Sequence, residues 1–373
     1  MNLKASFVDY LIQKYPDFSH DLLQPLISEN LLSPFQIPLS ADFINSIKSE
    51  IKIYWKLRQW GVQNLSMRYD QLGLRKPDNF GVCMSYDFHI SKENQLELIE
   101  INTNASFLAL GLDLYGFLGL KEVASGFQEK NIIEMFEAEN RLVGSKNLSV
   151  TIFDENPQQQ KLFVEFLIYQ SLLKKSRINC QIADISEIEK IKSCSLNYNR
   201  HTDFYLQEPK STLIKELFNE NRIQLSPNPY EYFLLADKER FVDWTRQNDI
   251  EKPKSLLPTY DLGKIEKEKI WNERKNLFFK PKNAFGSKQA YKGASISRKV
   301  FEEVANSHFI AQKHSPAPEI EVEHNGEKLK LRYDLRCYVY QDQLQLIIAR
   351  LYQGQTTNLR TKNGGFTTIV LKN

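Results

Sequence analysis

The sequence predicts an α/β protein in which parallel and antiparallel sheets occupy different parts of the chain. The segment "GVCMSYDFHISKENQLELIEIN" contains two strand-like runs around a polar turn, which is the pattern of a β-hairpin. The segment "LSVTIFDENPQQQKLFVEFLIYQSLLKKSRINCQIADI" predicts a strand, a turn, a long helix and a second strand, as in a right-handed parallel βαβ unit. A chain of 373 residues has room for two or three lobes of this kind.

The order of the predicted elements follows from the same patterns. Residues 1 to about 80 are expected to be mainly helical, because "ADFINSIKSEIKIYWKLRQW" repeats apolar residues at helical spacing. The hairpin occupies about 80–103, and a helical stretch follows it to about 143. The parallel α/β segment comes next, and the last third contains further strand-like runs.

Composition excludes several classes of function. The formal charge is +3, and no run of Lys and Arg is interleaved with aromatic residues, so nucleic acid is not expected as a partner. No segment approaches about 18 uninterrupted apolar residues, so we expect no membrane association and a cytoplasmic location. Neither an HExxH nor a GxSxG motif occurs. The four cysteines have no paired short spacing and are expected to be ordinary thiols: Cys83, Cys180, Cys194 and Cys337.

The second strand of the hairpin, "LELIEIN", carries polar side chains inside an apolar run. Strand side chains alternate, so Glu100 and Asn102 should share one face while Ile99 and Ile101 point to the other. The ordinary explanation is a strand end whose polar residues meet solvent. The alternative is that the side chains of Glu100 and Asn102 bind one ligand together.

The hairpin register favours a ligand. If the turn centres between Glu93 and Asn94, Asp87 lies opposite Glu100 with Cβ atoms about 4.5–5.5 Å apart. Facing carboxylates destabilise a ladder unless a cation lies between them, and two carboxylates with the Asn102 amide suit Mg²⁺. We therefore expect a magnesium site at Asp87, Glu100 and Asn102.

A glycine- and lysine-rich stretch, "NLFFKPKNAFGSKQAYKGASIS", begins the last third of the chain. Lys280 ends an apolar strand, and the loop that follows contains Gly286, Ser287, Lys288 and Gly293. Glycines let a backbone approach a phosphate closely, and lysines supply mobile cationic donors. A lysine-rich surface hairpin is the alternative for this stretch taken alone.

Three arginines follow in strand-like segments that should be half apolar. Arg336, Arg350 and Arg360 lie in "LRYDLRCYVYQDQLQLIIARLYQGQTTNLRTKNGGF". Buried arginines need anionic partners, and a carboxylate of the protein itself is the ordinary partner for any one of them. Together with the lysines and the acidic hairpin, they point to nucleotide triphosphate binding.

These segments resemble the ATP-grasp enzymes, ATP-dependent ligases that join a carboxylate to an amine. "NPYEYFLLADKERFVDWTRQNDIEKPKSLLPTY" looks like the opening of the nucleotide-binding lobe, "FFKPKNAFGSKQ" like its phosphate-binding strand and loop, and "FIAQKH" like the hinge beside adenine. "DLRCYVY", "IIARLY" and "TTNLRTKNGG" look like the strands around the triphosphate and acyl group. The resemblance implies that these residues bind the nucleotide: Lys238, Lys280, Gly286, Ser287, Lys288, Gln312, Lys313, Asn358 and Lys362.

In the usual ATP-grasp order the metal hairpin comes last, whereas here it comes first. This order resembles the circularly permuted eukaryotic glutathione synthetases and bacterial glutathionylspermidine synthetases, and "IEINTNASF" is close to the metal strand of the former. One departure is Ser85, where those synthetases carry an arginine two residues before the metal aspartate. The implied α+β fold has a helical segment with the permuted hairpin (1–145), a parallel pre-grasp layer (146–235) and an antiparallel ATP-grasp nucleotide-binding and catalytic region (236–373).

The resemblance implies catalysis with ATP and Mg²⁺ as cofactors. A carboxylate would attack the γ-phosphate, and an amine would then displace phosphate from the acylphosphate. Arg336 and Arg350 would stabilise the transferring phosphoryl charge, and Arg360 would hold the substrate carboxylate. The expected substrates are small-molecule or peptide carboxylates and amines, including polyamines. A homodimer is possible as the assembly. Phosphotransfer without amide formation and nucleotide binding without turnover remain alternatives.

Overall fold

The computed structural model describes residues 3–283, 290–306, 308–354 and 357–372. The strands are β1 (Ile37–Leu39), β2 (Met84–Ile90), β3 (Leu96–Asn102), β4 (Ser149–Asp154), β5 (Asn179–Asp184), β6 (Leu196–Asn199), β7 (Leu225–Ser226), β8 (Thr259–Asp261), β9 (Leu277–Pro281), β10 (Tyr291–Lys292), β11 (Phe309–Lys313), β12 (Glu319–His324), β13 (Glu327–Tyr340), β14 (Gln343–Tyr352) and β15 (Gly365–Leu371). The α-helices are α1 (Leu3–Lys14), α2 (His20–Leu23), α3 (Ala41–Asn64), α4 (Ser66–Asp70), α5 (Leu108–Phe117), α6 (Glu129–Leu142), α7 (Phe163–Lys175), α8 (Ile188–Lys192), α9 (Thr212–Asn219), α10 (Pro229–Glu231), α11 (Glu239–Arg246), α12 (Lys267–Glu273) and α13 (Arg298–Val304).

The early hairpin and the C-terminal strands form one seven-stranded sheet, which we name the large sheet. Its order is β1-β15-β14-β13-β2-β3, and β12 also pairs with β13. Strands β2 and β13 run antiparallel, with Asp87 opposite Arg336. The hairpin and the C-terminal strands, which are far apart in sequence, therefore belong to one continuous sheet.

Asp87 lies opposite Glu100, as predicted, but the hairpin reaches this pairing by a different route. Near the turn Ile90 pairs with Leu96, which centres the turn half a position earlier than predicted. The register then shifts, because Ile99 is an extra residue without a cross-strand partner. This β-bulge restores the Asp87–Glu100 pair.

The bulge also changes which side chains share a face. Leu98 and Ile101 are both buried in the core, whereas Ile99 and Glu100 both line the cavity described below. The prediction that Ile99 points away from Glu100 is wrong, because an inserted residue breaks strict strand alternation.

The predicted parallel βαβ unit is present in a second, four-stranded sheet of order β5-β4-β6-β7. Strand β4 pairs in parallel with β5 on one side and β6 on the other. Helix α7 supplies the crossover between β4 and β5. Its buried residues include Ile168, Leu172 and Leu173, which belong to the same apolar cluster as Val150 and Ile152 of β4.

A third sheet, the small antiparallel sheet, has the order β10-β9-β11-β8. In it Lys280 pairs with Ile310, and Phe278 pairs with Gln312. Side chains two positions apart on a strand share a face, so Phe278 and Lys280 project from the same side.

The N-terminal region is mainly helical, as predicted, and α3 is its longest helix. Strand β1 was not predicted. It pairs in parallel with β15, so Ile37 lies opposite Ile369 at the edge of the large sheet. Three residues including Pro38 are too short to show a strand period, and their partner is remote in sequence. Among the described residues, no helix combines the length and apolarity needed to cross a membrane.

The two faces of the large sheet have different surroundings. One face packs on α3, where Tyr86, Cys337 and Ile347 join a single apolar cluster with the helix. The opposite face is apolar at one end, where Tyr338 and Ile348 join the cluster that contains α5. At its other end this face carries ionisable side chains, and these define the candidate site.

Candidate active site

A cavity of about 930 Å³ lies between the charged end of the large sheet and the small antiparallel sheet. Its wall includes these large-sheet residues: Asp87, His89, Glu97, Ile99, Glu100, Asp334 and Arg350. The small sheet contributes Phe278, Lys280 and Gln312, and Lys238 lies at the wall just before α11. Sequence-predicted residues from the first and last thirds of the chain therefore meet around one space.

Asp87 is held between two arginines of neighbouring strands. Arg336 donates from Nε to Oδ1 at 3.0 Å and from Nη2 to Oδ2 at 2.7 Å. Arg350 Nη2 donates to the same Oδ2 at 2.8 Å. Asp87 and Arg350 are therefore in direct contact. Ser85, two residues before Asp87, donates from Oγ to Asp87 Oδ1 at 3.1 Å.

The arginines set the charge of Asp87. Burial raises the pKa of its carboxyl, but the fields of Arg336 and Arg350 outweigh burial and lower the pKa to about 2. Asp87 is therefore ionised at neutral pH although it is 1% exposed.

Arg350 is fixed by a second carboxylate. Its Nε donates to Asp334 Oδ1 at 2.7 Å, and Thr357 Oγ1 donates to the other oxygen of Asp334 at 2.6 Å. Burial alone would lower the pKa of Arg350, but Asp334 and Asp87 raise it above its ordinary value. We did not predict Asp334, although it stands two positions before Arg336 and therefore shares its strand face.

The predicted magnesium ligands converge. Asn102 Nδ2 donates to Asp87 Oδ2 at 3.2 Å and to Glu100 Oε1 at 3.4 Å. The three side chains therefore offer hard oxygen ligands in one place, with Glu100 on the cavity wall. Two carboxylates and an amide are donor types that suit Mg²⁺. In this structure both oxygens of Asp87 accept from arginines, and the Asn102 amide turns its nitrogen towards the carboxylates.

Lys280 is a buried cation at the junction of the two sheets. Its Nζ donates to the Ile99 carbonyl at 2.9 Å and to Gln312 Oε1 at 2.7 Å. Ile99 is the bulged residue and has no cross-strand partner in the hairpin, so its carbonyl oxygen can accept a hydrogen bond from a side chain. Burial lowers the pKa of Lys280 to about 8.

His89 is a further cavity residue that sequence reasoning missed. Its Nδ1 lies 2.9 Å from the Ser315 carbonyl oxygen and 3.1 Å from Ser315 Oγ. Burial lowers the pKa of the imidazole to about 4, so His89 is neutral at physiological pH. The spacing of Ser85, Asp87 and His89 at every second position could have revealed it.

The remaining predicted residues differ in their relation to the cavity. Asn358 belongs to the turn after β14, where its Oδ1 accepts from Arg360 N at 3.0 Å. Arg360 and Lys362 are exposed and are not among the described residues that line the cavity, so their roles stay predictions. Lys313 is exposed at the cavity wall. Gly286, Ser287 and Lys288 fall outside the described residues.

Gly293 has a packing role that the sequence did not reveal. A Cβ atom at this position would lie 1.9 Å from the Arg274 carbonyl oxygen and 2.8 Å from that of Leu277. Only glycine allows this close approach of β10 to the chain before β9. Gly293 is therefore required by the backbone, whatever the loop before it binds.

The sheets define a mixed α/β protein, with one parallel sheet and two sheets that are mainly or wholly antiparallel. No protein-family model matches the sequence, and a search of curated proteins gives no significant match. A solved glutathione synthetase-like effector from Globodera pallida aligns with 91% of this chain and 90% of its own, with a TM-score of 0.55 and 11% identity. A Methylobacillus flagellatus KT protein provisionally described as a gamma-glutamylcysteine synthetase covers 90% of both chains, with a TM-score of 0.44 and 9% identity. The chain thus shares the fold of the glutathione synthetase-like effector.

Proposed function

We propose that the protein is an ATP- and Mg²⁺-dependent carboxylate–amine ligase that forms an amide through an acylphosphate. The observation that carries the proposal is the meeting of Asp87, Arg350 and Lys280 around one cavity, although they come from opposite ends of the chain. Phosphoryl transfer needs cations and metal ligands around the same few oxygens, and this cavity collects both.

The nucleotide would lie between the two sheets. Lys280 and Lys238 supply positive charge for the phosphates, and Gln312 and Lys313 line the part of the cavity beside β11. The cavity of about 930 Å³ is within the usual size range of cofactor pockets, which is roughly 300–1,000 Å³. Gly286, Ser287 and Lys288 would bind the phosphates, as the resemblance to ATP-grasp enzymes implies.

The chemical difficulty is electrostatic, because an anionic carboxylate must approach an anionic phosphate. Arg350 lines the cavity and would donate to phosphoryl oxygens, and a group prepositioned in this way contributes about 3 kcal/mol. Arg336 is bonded to Asp87 and is not among the described residues that line the cavity, so it would act on the phosphoryl group only after leaving Asp87. Asp87, Glu100 and Asn102 would hold Mg²⁺, which neutralises phosphate oxygens when bound. Arg360 would orient the substrate carboxylate through a bidentate contact.

We further propose that the chain is a circularly permuted ATP-grasp protein. The metal hairpin comes first in sequence but pairs with β13 in the sheet, and the fold is shared with a protein described as glutathione synthetase-like. The substrates would be a small-molecule or peptide carboxylate and an amine, in the cytoplasm.

The experiment is a screen for ADP release over amino acids, short peptides and polyamines with ATP and Mg²⁺, followed by mass analysis. A ligase releases ADP over many turnovers only when a carboxylate and an amine are both present, with one amide per ADP. The Glu100→Gln variant controls for contaminating ATPases, and Glu323→Gln, which changes an exposed carboxylate of the large sheet that is not among the described residues lining the cavity, is its matched comparison. A phosphorylated product without amide would show a phosphotransferase, and nucleotide binding without ADP release would exclude turnover.

A further inference from the structure

Five donor atoms surround the carboxylate of Asp87 in this structure. Oδ1 accepts from Arg336 Nε at 3.0 Å and from Ser85 Oγ at 3.1 Å. Oδ2 accepts from Arg336 Nη2 at 2.7 Å, from Arg350 Nη2 at 2.8 Å and from Asn102 Nδ2 at 3.2 Å. An ionised carboxylate has about four lone-pair positions, so these donors leave none open to a cation. Asp87 is also 1% exposed, so Mg²⁺ could bind it only by displacing a donor.

The amide of Asn102 is turned the wrong way for a metal ligand. An ionised carboxylate only accepts hydrogen bonds, so the Nδ2 group makes the contacts with Asp87 at 3.2 Å and with Glu100 at 3.4 Å. The Oδ1 atom, which is the atom that a hard cation prefers, is on the other branch of the amide. Two of the three proposed metal ligands are therefore bonded to neighbouring side chains in a way that opposes metal binding.

Arg350 can change partners without losing its position. Its Nε donates to Asp334 Oδ1 at 2.7 Å, while its Nη2 donates to Asp87. Thr357 Oγ1 donates to the other oxygen of Asp334 at 2.6 Å, which holds that carboxylate in place. Because Arg350 lines the cavity, a rotation about its contact with Asp334 would carry Nη2 from Asp87 to a phosphate oxygen there. A nucleotide in the cavity is therefore the group that could release Asp87.

We propose, on the basis of the proposed function, that Arg336 and Arg350 close the magnesium site at Asp87 until a nucleoside triphosphate binds. The two guanidinium groups balance the carboxylates of Asp87 and Asp334, so this buried cluster is neutral without a metal. A triphosphate would offer anionic oxygens to both arginines, and Asp87 would then accept Mg²⁺ in place of the positive charges it loses. Mg²⁺ and nucleotide should therefore strengthen each other's binding, whereas the protein alone should bind Mg²⁺ weakly.

The first measurement is Mn²⁺ binding without nucleotide, followed by the electron paramagnetic resonance signal of unbound Mn²⁺, an ion that prefers the same oxygen ligands as Mg²⁺. Arg336→Met removes two of the donors to Asp87, so Mn²⁺ affinity should rise about 10- to 100-fold above wild type. Adding Glu100→Gln to this variant should abolish the rise. Arg336→Lys, which keeps the charge but loses the two-pronged contact, should show a smaller rise and serves if the methionine variant does not fold.

Arg332→Met is the matched control for the loss of positive charge. Arg332 belongs to the same strand and also lines the cavity, but it pairs with Glu319 instead of Asp87. This variant should change Mn²⁺ affinity by less than about threefold, because an exposed charge is screened by solvent.

The second measurement repeats the titration with each protein saturated with adenylyl imidodiphosphate, an ATP analogue that is not hydrolysed. The affinity of the analogue itself for Mn²⁺ is the same in every titration, so it cancels when variants are compared. The factor by which the analogue strengthens Mn²⁺ binding should be about tenfold or more smaller in Arg336→Met than in wild type, and unchanged in Arg332→Met.

The outcomes separate this inference from the ligase proposal. Equal Mn²⁺ affinities of wild type and the Arg336 variants without nucleotide would overturn the closure of the site by arginines. Amide-coupled ADP release in the substrate screen would then leave the ligase proposal standing. If the analogue does not bind and no ADP is released, both proposals fail.

Discussion

Arg350 Nη2 lies 2.8 Å from Asp87 Oδ2, although 263 positions separate the two residues in the chain. The contact exists because β2 and β14 lie on the two sides of β13, which places their side chains on one face of the large sheet. Asp334 holds the same arginine from β13. The order of strands in the large sheet thus brings Asp87, Asp334 and Arg350 together. Four predictions concern individual groups of the site.

The first prediction concerns the metal ligands. Glu100→Gln removes a carboxylate charge but keeps the size of the side chain, so the fold should remain while Mg²⁺-dependent turnover falls about 100-fold or more. Steady-state ADP release at several Mg²⁺ concentrations measures the loss, and circular dichroism checks the fold. Wild-type turnover in this variant would remove Glu100 from the site.

The second prediction concerns the buried lysine. Lys280→Met removes the cation and keeps an unbranched apolar stem, so ATP affinity should fall about 10- to 100-fold with little loss of stability. Isothermal titration calorimetry measures the affinity. Lys282→Met is the comparison, because Lys282 pairs with Glu239 and Asp261 instead of lining the cavity. Equal affinities in wild type and Lys280→Met would show that this lysine does not meet the nucleotide.

The third prediction follows from the lowered pKa of Lys280, which is about 8 in the free protein. A bound phosphate favours the charged ammonium and raises this pKa, so binding above pH 8 should take up a proton. ATP affinity should be nearly constant below pH 8 and fall as pH rises further. Calorimetry in two buffers of different ionisation enthalpy counts the proton. Lys280→Arg, whose guanidinium stays charged, should abolish the uptake, and its persistence there would contradict the assignment.

The fourth prediction concerns stability. Asp87→Asn leaves Arg336 and Arg350 without their shared counter-charge, so the free energy of unfolding at pH 7 should fall by about 3 kcal/mol. The pKa of Asp87 is lower in the folded than in the unfolded state, so its contribution is full above about pH 4 and is lost as pH falls towards 2. Urea unfolding at several pH values measures it. Asp70→Asn, in an exposed pair with Lys76, should cost less than about 1 kcal/mol, and an equal cost at both positions would contradict the account.

Much of the architecture could be predicted because its elements show a local hydrophobic period in the sequence. The hairpin, the parallel βαβ unit and the early helices each carry a strand or helix period in sequence. The bulge at Ile99 was missed, although Glu97 and Glu100 are three positions apart and the buried positions change from even, at Leu98, to odd, at Ile101. Strand β1 and the contact of Arg336 with Asp87 depend on partners far away in the chain, which local patterns do not report.

Some residues of the candidate site could likewise be found from the sequence, and others could not. Asp87, Glu100 and Lys280 were found because charge inside an apolar strand is unusual. His89 and Asp334 were missed because each was judged singly, without the other residues on its strand face. The roles of Arg360 and Lys362 were assigned by resemblance to a motif; Thr357 of the same turn lines the cavity, but Arg360 and Lys362 are exposed and are not among the described residues that line it.

The most direct test of the central claim is an isotope transfer experiment with the carboxylate and amine found in the ADP-release screen. The carboxylate is labelled with ¹⁸O on both oxygens, and the phosphate released during amide formation is analysed by mass spectrometry. If the carboxylate attacks the γ-phosphate and the amine then displaces phosphate, one ¹⁸O atom moves from each carboxylate to phosphate. Phosphate without ¹⁸O, released in step with the amide, would contradict an acylphosphate ligase.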